Sequence, residues 1–547
     1  MLNKKTTSLI VLLFLTLCKF VDGQSYNEIL GRPTDSAITM SILFDQQAEV
    51  YWKYGTTSGV YSVTTNTYIA SADTTLMVDF SNLMPDTKYY YRTKYRLNGS
   101  SGAFNTGSEH SFHTQRALGS TFTFTIEADE HLCDIKGVRS LFQVCLENQA
   151  LDQPDFMLSL GDNFGNDHNP TTITSNQLDS LHKMYRPFFG SICHSIPLYL
   201  CLGNHEGENN YYLSQTPPEN MAVYATLWRK FYYPNPHPDS FYTGNLAVEP
   251  YGIGNPENYY AWNWGNALFV VMDVYRNQCD TSPKPKKWNW SLGFTQYTWL
   301  KNTLENSNAQ YKFVFAHHTR GEGRGGVTTA PFYEWGGYEA NGSTWGFNTN
   351  RPGWAKPIHQ LFVDNGVNVF FQGHDHLFAH EELDGVIYQE LPMAADSTYK
   401  IGMLANANAY VSDTLDGSGH LRVKVSPDCV TVDYIRAYLA ADTVSGIHHN
   451  REVAFSYSFG NCPTTGLDET DDNVSAKIFP NPASNRITID LSDENGNLQV
   501  NLLNILGQRL VQTQSTELNV SSFPNGIYFL SIETSKGEIK KKLIINR

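Results

Sequence analysis

The sequence predicts an α/β protein: a central α/β sandwich with a small all-β sandwich before it and another after it. Residues 25–116 consist of short apolar runs separated by Gly, Asp, Asn and Ser clusters, which is typical of antiparallel strands. Between residues 118 and 445, apolar β-rich runs alternate with helical segments, as in sheets that are buried on both faces. The short strand-like runs return in residues 475–547.

The composition indicates a globular protein of several domains. At 547 residues the chain is too long for one core, and 41% hydrophobic and 13% aromatic residues exclude a disordered chain. The formal net charge of -15 argues against a general binder of nucleic acids or anionic membranes, because both require a basic surface. A small anionic substrate stays compatible with this charge, since a local cluster of cations acts at short range.

Residues 1–23 have the layout of a secretory signal peptide. Lys4 and Lys5 precede an apolar run at residues 9–17, and small residues precede an expected cleavage near Gln24. This run is too short to span a membrane, and no later stretch is long enough. We therefore expect a secreted or surface protein without a transmembrane segment. Seven of the eight cysteines follow the cleavage point, and the sequence leaves their pairing open.

Residues 24–116 contain a marker for one kind of sandwich. Residues 83–91, LMPDTKYYY, resemble the leucine-to-tyrosine corner of fibronectin type III domains, and SFHTQ resembles their last strand. The resemblance implies a fibronectin type III-like domain. None of its residues suggests catalysis.

In residues 117–445, metal-ligand residue types follow five predicted strands. They stand directly after the apolar runs, at the edge where open α/β sheets place their ligands. One histidine after a strand is usually structural, but five such clusters are hard to obtain by chance. The clusters are Asp129-Glu130-His131, Gly161-Asp162, Gly203-Asn204-His205-Glu206, His317 and Gly373-His374-Asp375-His376.

These clusters resemble the motifs of calcineurin-like metallophosphoesterases, which run DxH, GD, GNH, H and GHxH. All five are present in that order. The resemblance implies a four-layer metallophosphoesterase β-sandwich flanked by helices. The preceding sandwich, the GNHE form of the third motif and the run NYYAWNWGNALFVVMD also resemble purple acid phosphatases. Residues 24–116 then correspond to the N-terminal domain of those enzymes.

One motif departs from the purple acid phosphatases. Those enzymes carry a tyrosine three residues after the aspartate of the GD motif, where this sequence has Gly165. Their first motif also lacks the histidine that His131 supplies here. The resemblance therefore implies an imidazole in place of the phenolate at the first metal, and we expect no purple colour.

The family resemblance assigns seven residues to two metal ions. They are Asp129, His131 and His376 for the first ion, Asn204, His317 and His374 for the second, and Asp162 as a bridge. Imidazole and carboxylate ligands suit transition metals, whereas calcium and magnesium prefer oxygen ligands alone. We expect two divalent or trivalent ions, Fe, Mn or Zn, with the identity left open.

The resemblance implies an acid-phosphatase-like hydrolase of phosphomonoesters. In this reading a metal-bridging hydroxide attacks phosphorus, and His205 matches the family's proton-donating histidine, a general acid. Arg320 and Arg324 follow His317 on a Gly-rich loop and are candidates for contact with substrate phosphate, although a surface position explains them equally well. Glu206 either orients His205 or a ligand, or is exposed.

Two other functions stay open at this stage. A phosphodiesterase or nucleotidase would use the same metal ions, and only the rim of the site distinguishes it from a phosphomonoesterase. A non-catalytic surface protein that binds glycans is the alternative from another class. Intact residue types at all seven ligand positions favour an enzyme.

The C-terminal part of the chain predicts export. Residues 446–473 read mostly as a charged linker, although EVAFSYSF is a candidate last strand of the central domain. Residues 474–547 resemble the sorting domain of cargo for the type IX secretion system, through the PNP run at 480–482, NILGQ, PNGIYFLSI and the lysines at 540–542. The resemblance implies handling by the type IX machinery; an adhesive or carbohydrate-binding module is the alternative.

Overall fold

The computed structural model describes most of the chain beyond residue 23. It describes residues 24–132, 137–164, 170–209, 219–277, 286–319, 324–401, 409–411, 414–444, 446–462, 476–491, 498–504, 508–534 and 537–546. The predicted signal peptide, Gly165 and Arg320 lie outside these ranges. The chain forms two compact units, Met1–Gly460 and Asn461–Arg547.

The first unit begins with an all-β sandwich. Its strands are β1 (Tyr26–Gly31), β2 (Ala37–Phe44), β3 (Ala48–Gly55), β4 (Val63–Thr64), β5 (Tyr68–Ala70), β6 (Leu76–Ser81), β7 (Lys88–Leu97) and β8 (Asn105–His113). One sheet has the order β1-β2-β6; the other has the order β4-β3-β7-β8, with β5 paired to β3. The backbone N–H of Met84 donates to the Tyr89 hydroxyl at 2.8 Å, which is the contact of a tyrosine corner.

Two larger sheets form the centre of the first unit. Their strands are β9 (Phe122–Glu127), β10 (Phe156–Ser159), β11 (Leu198–Leu200), β12 (Thr243–Gly244), β13 (Tyr260–Trp264), β14 (Ala267–Val271), β15 (Tyr311–Phe315), β16 (Val369–Gln372), β17 (Phe378–Leu383), β18 (Val386–Glu390), β19 (Thr414–Leu415), β20 (Gly419–Val425), β21 (Cys429–Arg436) and β22 (Val453–Gly460). The six-stranded sheet has the order β11-β10-β9-β20-β21-β22. The eight-stranded sheet has the order β12-β13-β14-β15-β16-β18-β17-β19.

The described residues include seven α-helices. They are α1 (Arg139–Leu151), α2 (Ser175–Cys193), α3 (Met221–Tyr232), α4 (Gly293–Glu305), α5 (Tyr333–Gly336), α6 (Phe347–Asn350) and α7 (Ile358–Asp364). Helix α2 begins at a capping box, in which Thr174 and Gln177 exchange side-chain and backbone hydrogen bonds. None of the helices in the described ranges has both the length and the apolar character that a bilayer span needs.

Three hydrophobic cores separate four layers. Phenylalanines of both sheets, including Phe124 and Phe313, fill the space between the sheets. Side chains of α1 and α2, such as Phe189, pack with Met157 on the outer face of the six-stranded sheet. Residues of α4 and α7 pack with Phe370 on the outer face of the eight-stranded sheet. This α/β/β/α arrangement confirms the predicted fold class.

Strand β22 extends the central domain beyond residue 445. It pairs antiparallel with β21 along its length, with one register shift near Tyr434. The run EVAFSYSF is therefore a sheet strand inside the segment that the sequence reads mostly as a linker. Cys429 is disulfide-bonded, whereas Cys145 and Cys201 are buried free thiols.

Parallel pairing aligns the strand ends that carry the motifs. In the six-stranded sheet β9, β10 and β11 run parallel to one another. In the eight-stranded sheet β14, β15 and β16 do the same. Because the carboxyl ends of parallel strands meet at one edge of a sheet, the polar loops that follow them emerge together.

A buried arginine joins the N-terminal sandwich to the central domain. Arg186 of α2 donates from Nε to Asn27 Oδ1 at 2.6 Å and from Nη1 to Ser41 Oγ at 3.0 Å, and both acceptors belong to the sandwich. Nη1 also donates to the carbonyl of Tyr232 in α3. Tyr91 of the sandwich donates in turn to a carbonyl at the end of α2, at 2.8 Å.

The second unit is a separate small β-sandwich. Its strands are β23 (Ala476–Phe479), β24 (Arg486–Leu491), β25 (Gln499–Leu503), β26 (Arg509–Thr513), β27 (Glu517–Asn519), β28 (Gly526–Thr534) and β29 (Gly537–Ile545). They form a three-stranded sheet, β23-β24-β27, and a four-stranded sheet, β26-β25-β28-β29. Ile487, Val500 and Leu530 are fully buried in its core.

Candidate metal centre

The five motifs stand directly after strands of the two central sheets. Asp129 and His131 follow β9, Asp162 follows β10, Asn204 follows β11, His317 follows β15, and His374 and His376 follow β16. Three of these strands belong to the six-stranded sheet and two to the eight-stranded sheet. The centre therefore lies where the aligned edges of both sheets meet.

Most of the ligand candidates have an unusual backbone conformation. Positive φ values, which are uncommon for residues other than glycine, occur at Asp129 (57°), His131 (46°), Asp162 (64°), His374 (77°) and His376 (57°). Such strain persists only where the surroundings impose it, and it concentrates at functional sites. The backbone thus turns these five side chains inward at some energetic cost.

Three motif glycines allow the loops to approach one another. A Cβ atom on Gly203 would overlap the carboxylate and backbone nitrogen of Asp162, and one on Gly373 would overlap the carboxylate of Asp129. Gly161 has a φ of 100°, and a Cβ atom there would overlap the neighbouring GNH loop. Glycine is required because the ligand carboxylates occupy the space of a side chain.

The first group of converging ligands contains Asp129, His131, Asp162 and His376. One ligand atom from each lies within 4.8 Å of the others. His131 Nε2 is 3.0 Å from His376 Nε2, which in turn is 3.4 Å from Asp129 Oδ1. All four residues are at most 3% exposed. Buried carboxylates and facing imidazole nitrogens at these distances suit a shared cation.

The second group contains Asp162, His317 and His374. Their ligand atoms also lie within 4.8 Å of one another, and His317 Nε2 is 3.1 Å from Asp162 Oδ2. Asp162 belongs to both groups, which is the arrangement that a bridging carboxylate requires. The His317 ring is oriented by the carbonyl of Leu160, which lies 2.8 Å from Nδ1.

Asn204 lies beside the second group. The next residue, His205, donates from its backbone nitrogen to Asp162 Oδ1 at 2.8 Å. The Tyr275 hydroxyl donates to Asn204 Oδ1 at 3.4 Å, and the Tyr275 ring centroid is 5.9 Å from that of His317. Tyr275 thus links two predicted ligands, a role that the sequence did not reveal because it follows β14, a strand without a motif.

The electrostatics of the centre distinguish its histidines. Burial alone would lower the pKa of His317, but the carboxylates of Asp162 and Asp129 outweigh burial and raise the pKa to about 9. Burial, followed by the neighbouring His318 and His317, lowers the pKa of His374 well below its ordinary value. His374 is therefore held in the neutral form that binds metals, whereas His317 must lose a proton to do so.

Glu206 connects two of the motifs. Its carboxylate accepts hydrogen bonds from the backbone nitrogens of Asp162 at 3.0 Å, Asn163 at 2.6 Å and Gly203. The side chain is 1% exposed, so the exposed alternative is wrong. Glu206 orients the ligand-bearing loops, because it fastens the GD turn to the GNH turn.

His205 lies at the open side of the centre. Its side chain is 14% exposed, and Nε2 is 3.9 Å from Asp162 Oδ2. Its ring makes an edge-to-face contact with the ring of His131 at 4.7 Å. His318, by contrast, is 2% exposed, and its ring centroid lies 4.6 Å from that of His374.

The described part of the Gly-rich loop contributes Arg324. Its Nη1 donates to the carbonyl of His374 and to Asp375 Oδ1, the latter at 2.9 Å. Arg320, the other arginine that the sequence predicts to contact substrate phosphate, lies outside the described residues. Two further groups that the sequence did not single out, Tyr410 and Glu390, also contact Asp375. The sequence did not reveal them, because they lie too far along the chain from Asp375 to belong to one short motif.

The fold and the site together define a metal-dependent phosphoesterase. Residues 122–378, which contain all five motifs, match the family model of calcineurin-like phosphoesterases. This part of the chain is therefore a calcineurin-like phosphoesterase domain, as the motif resemblance implies. A comparison with curated proteins finds no match.

Solved structures show the same fold over most of the chain. A structure of PhoD is similar with a TM-score of 0.56 at 16% identity, covering 80% of this chain and 90% of the PhoD chain. A purple acid phosphatase, PPD1 from seeds of yellow lupin (Lupinus luteus), gives a TM-score of 0.52 at 14% identity, covering 81% and 78%. At these identities the similarity establishes the fold alone.

The C-terminal unit has its own family match. Residues 477–546 match the family model of the secretion system C-terminal sorting domain. This confirms the resemblance of that segment and indicates export from the cell or to its surface.

Proposed function

We propose that the protein is an exported phosphomonoesterase that uses two transition metal ions. The observation that carries this proposal is the sharing of Asp162 by two groups of ligand candidates, which are buried except for the partly exposed His374. Two carboxylates and four imidazoles in these groups form a donor set suited to Fe, Mn or Zn. A single metal ion would not need both groups, and a purely structural cluster would not need a rim open to solvent.

The residues of the two groups fit two ions. The first ion would be held by Asp129, His131, Asp162 and His376, and the second by Asp162, Asn204, His317 and His374. When bound, such a pair supplies charge for the phosphoryl oxygens and lowers the pKa of a water molecule. Asn204 adds a neutral oxygen, so the bound centre keeps a positive charge that attracts a phosphate ester in spite of the acidic protein around it.

His205 is proposed as the general acid. A phosphate ester needs a proton on its leaving oxygen, and an imidazole near neutral pH can provide it. The side chain is partly exposed beside the shared Asp162, at 3.9 Å, and its backbone is fixed to that same carboxylate. A substrate that enters from this partly exposed side would come next to the His205 ring.

The flanking domains support export. We propose that residues 1–23 are a signal peptide and that the type IX secretion machinery recognises the C-terminal sorting domain. The N-terminal sandwich, with its tyrosine corner, is proposed as a fibronectin type III-like domain that supports the catalytic domain. The substrate is then a small phosphate ester outside the cell.

Metal analysis and turnover of chromogenic phosphate esters test this function. We expect the purified protein to contain two transition metal ions and to hydrolyse a monoester faster than a diester. Asp162→Asn should lose bound metal and activity together, because it removes the shared ligand. His205→Ala should keep its metal and lose about 10²–10⁴-fold in kcat, the usual contribution of a positioned acid.

The alternatives predict other outcomes of the same experiment. Faster turnover of the diester would make the protein a phosphodiesterase. Absence of metal and of turnover would support the non-catalytic surface protein. Full activity of His205→Ala would remove the acid assignment while leaving the metal centre in place.

A further inference from the structure

Arg324 is anchored to the last ligand motif. Its Nη1 donates to the carbonyl oxygen of His374 and to the carboxylate of Asp375, the latter at 2.9 Å. The Arg324 side chain is 30% exposed, whereas that of Asp375 is 0% exposed. One side of the guanidinium therefore contacts a buried carboxylate, and another side faces solvent. Asp375, the residue it contacts, lies between the proposed ligands His374 and His376.

The carboxylate that holds Arg324 is itself fixed. Tyr410 donates from its hydroxyl to Asp375 Oδ2 at 2.6 Å and lies 3.1 Å from Glu390 Oε2. The backbone nitrogen of Asp375 donates to Glu390 Oε1 at 3.0 Å. One carboxylate oxygen thus faces Tyr410 and the other faces Arg324, so the ion pair has little freedom to rotate.

The chain around Arg324 is also held in place. Glu381 of β17 accepts a hydrogen bond from the backbone nitrogen of Val327 at 2.9 Å and from that of Val411 at 2.8 Å. Thr328 donates to the carbonyl of Ala409 at 2.6 Å. Hydrogen bonds therefore join residues 327–328, which follow Arg324, to the segment that carries Tyr410. Both are also bonded to β17 of the eight-stranded sheet.

The geometry leaves part of the guanidinium for a ligand. An arginine has five N–H donors in a planar fork, and Nη1 provides two of them. The two bonds to His374 and Asp375 account for Nη1, and none of the described residues accepts a hydrogen bond from Nε or Nη2 of Arg324. With respect to the described part of the chain, three donors of Arg324 are thus available for a ligand. A planar fork of this kind matches phosphate oxygens.

The number of terminal oxygens separates the two candidate substrate classes. A phosphomonoester has three terminal phosphoryl oxygens and about two negative charges at neutral pH, as a phosphorylated side chain does. A diester has two terminal oxygens and one charge. Two ions held by the two ligand groups would bind two of these terminal oxygens. A third terminal oxygen is then left over only in a monoester.

We propose that Arg324 is a specificity-determining residue that binds the third terminal oxygen of a phosphomonoester, with Asp375 as its positioning residue. This inference rests on the proposed function and deepens it, because it ties the preference for monoesters to one side chain. Arg324 selects the substrate and takes no part in holding metal. Asp375 acts through Arg324.

The test compares Arg324→Ala and Arg324→Lys with the wild-type, metal-loaded, full-length protein. We expect Arg324→Ala to lose about 10- to 100-fold in kcat/KM for p-nitrophenyl phosphate, as for a charge-assisted hydrogen bond. With bis-p-nitrophenyl phosphate the change should stay within about threefold, because the diester lacks the third oxygen. Arg324→Lys should recover part of the loss, since a lysine keeps the charge without the fork.

Two readouts separate substrate binding from damage to the fold. Metal content should be unchanged in Arg324→Ala, and the affinity for inorganic phosphate, measured by calorimetry, should fall with the monoester kcat/KM. Asp375→Asn should raise KM for the monoester more than it lowers kcat. Arg139→Ala, at an exposed position on α1, is the matched control and should behave as wild type.

Several outcomes would overturn the proposal. Equal losses with both esters would show that Arg324 does not read the third oxygen, and a loss of metal would make it a structural residue. If the wild type hydrolyses neither ester, the proposed function fails, and phosphate affinity alone then decides the role of Arg324. Phosphate affinity within about twofold of wild type in Arg324→Ala would contradict that role as well.

Discussion

His317 carries the strongest electrostatic conflict in the proposed centre. It is fully buried, which disfavours its charged form, yet Asp162 and Asp129 lie within 3.1 Å and 3.7 Å of its Nε2. The carboxylates prevail over burial and raise the pKa of His317 to about 9. His317 Nε2 is therefore protonated at neutral pH when no metal ion is bound. The proposed function requires a metal ion at the same nitrogen, so proton and metal ion compete for it.

Metal binding should therefore release a proton. Below the folded-state pKa of about 9, His317 is protonated, so the apparent metal affinity should rise with pH by about tenfold per unit and level off near pH 9. Calorimetry at pH 7.5 in two buffers of different ionisation enthalpy measures the released proton. A heat that is independent of the buffer would contradict a protonated His317.

The same pKa also affects the stability of the metal-free protein. Because the folded-state value lies above the ordinary value of 6.5, the stabilisation from His317 is fully present below pH 6.5. It is lost as the pH rises through about 9. Attraction between His317 and the two carboxylates therefore contributes to stability at neutral pH, a role that the proposed metal ions would take over.

Among the structural elements, helix α1 ends in a buried ion cluster. Asp152 caps α1, and its side chain is 1% exposed. This side chain lies 2.8 Å from His420, 3.0 Å from Arg422 and 2.7 Å from Arg451. Burial acts to raise the pKa of Asp152, but His420, Arg451 and Arg422 outweigh it and lower the pKa from 3.8 to about 2. The cluster fastens α1 to β20 and to the turn before β22.

Removing this carboxylate should destabilise the first unit. We expect Asp152→Asn to lower the free energy of unfolding by about 2–4 kcal/mol at pH 7, because Arg422 and Arg451 lose their counter-charge. Burial lowers the pKa of His420, so its ring loses a charged hydrogen-bond partner at this pH and not a counter-ion. Chemical denaturation measures the change. The stabilisation by Asp152 is present above pH 3.8 and disappears as the pH falls through about 2, since the folded-state pKa is depressed.

An exposed aspartate provides the control for that prediction. Asp364 pairs with Lys356 at the protein surface, where its side chain is 38% exposed. Asp364→Asn should cost less than about 1 kcal/mol, as is usual for solvent-exposed ion pairs. Equal costs for the two substitutions would mean that burial does not strengthen the Asp152 cluster.

At the scale of the whole molecule, one buried arginine connects the N-terminal sandwich of the first unit to the central domain. Arg186 is 0% exposed and bonds to Asn27, Ser41 and Tyr232, so it reaches the N-terminal sandwich and α3 at once. Burial lowers its pKa to about 10, which still leaves the side chain charged at neutral pH. Within the described ranges, the hydrogen-bond acceptors of the Arg186 guanidinium are all neutral oxygens.

We expect Arg186→Met to weaken the docking of the sandwich. The substitution fills similar volume but leaves several buried oxygens without donors, which should cost about 3 kcal/mol or more. Thermal unfolding should shift to lower temperature, and limited proteolysis should begin to cut between the sandwich and the central domain. Unchanged proteolysis would argue against a docking role for Arg186.

Lys183 on the same helix is the matched control. It pairs with Asp73 across the same boundary, but the two side chains are 41% and 61% exposed. Lys183→Met should change the free energy of unfolding by less than about 1 kcal/mol and leave the proteolysis pattern unchanged.

The sequence by itself determined the residue types of the centre and their order. Each ligand candidate directly follows a strand, so short motifs such as DxH and GHxH carry the information locally. The motif glycines belong to the same local patterns, because they allow the close approach of neighbouring loops. The alternation of strands and helices in the central domain also followed from the sequence, since their periodicity is a local property, whereas the family resemblance implied the four layers.

Only the tertiary structure decided which distant groups support the centre. Glu206 accepts a hydrogen bond from the backbone of Asp162, in another motif. Tyr275 donates to Asn204, and Arg324 donates to Asp375. The two residues of each pair are far apart along the chain. The pairing of β22 with β21 likewise depended on the assembled sheet. Hydrogen bonds and buried charges act through space, so a pattern along the chain predicts the ligands but not the side chains that hold them in place.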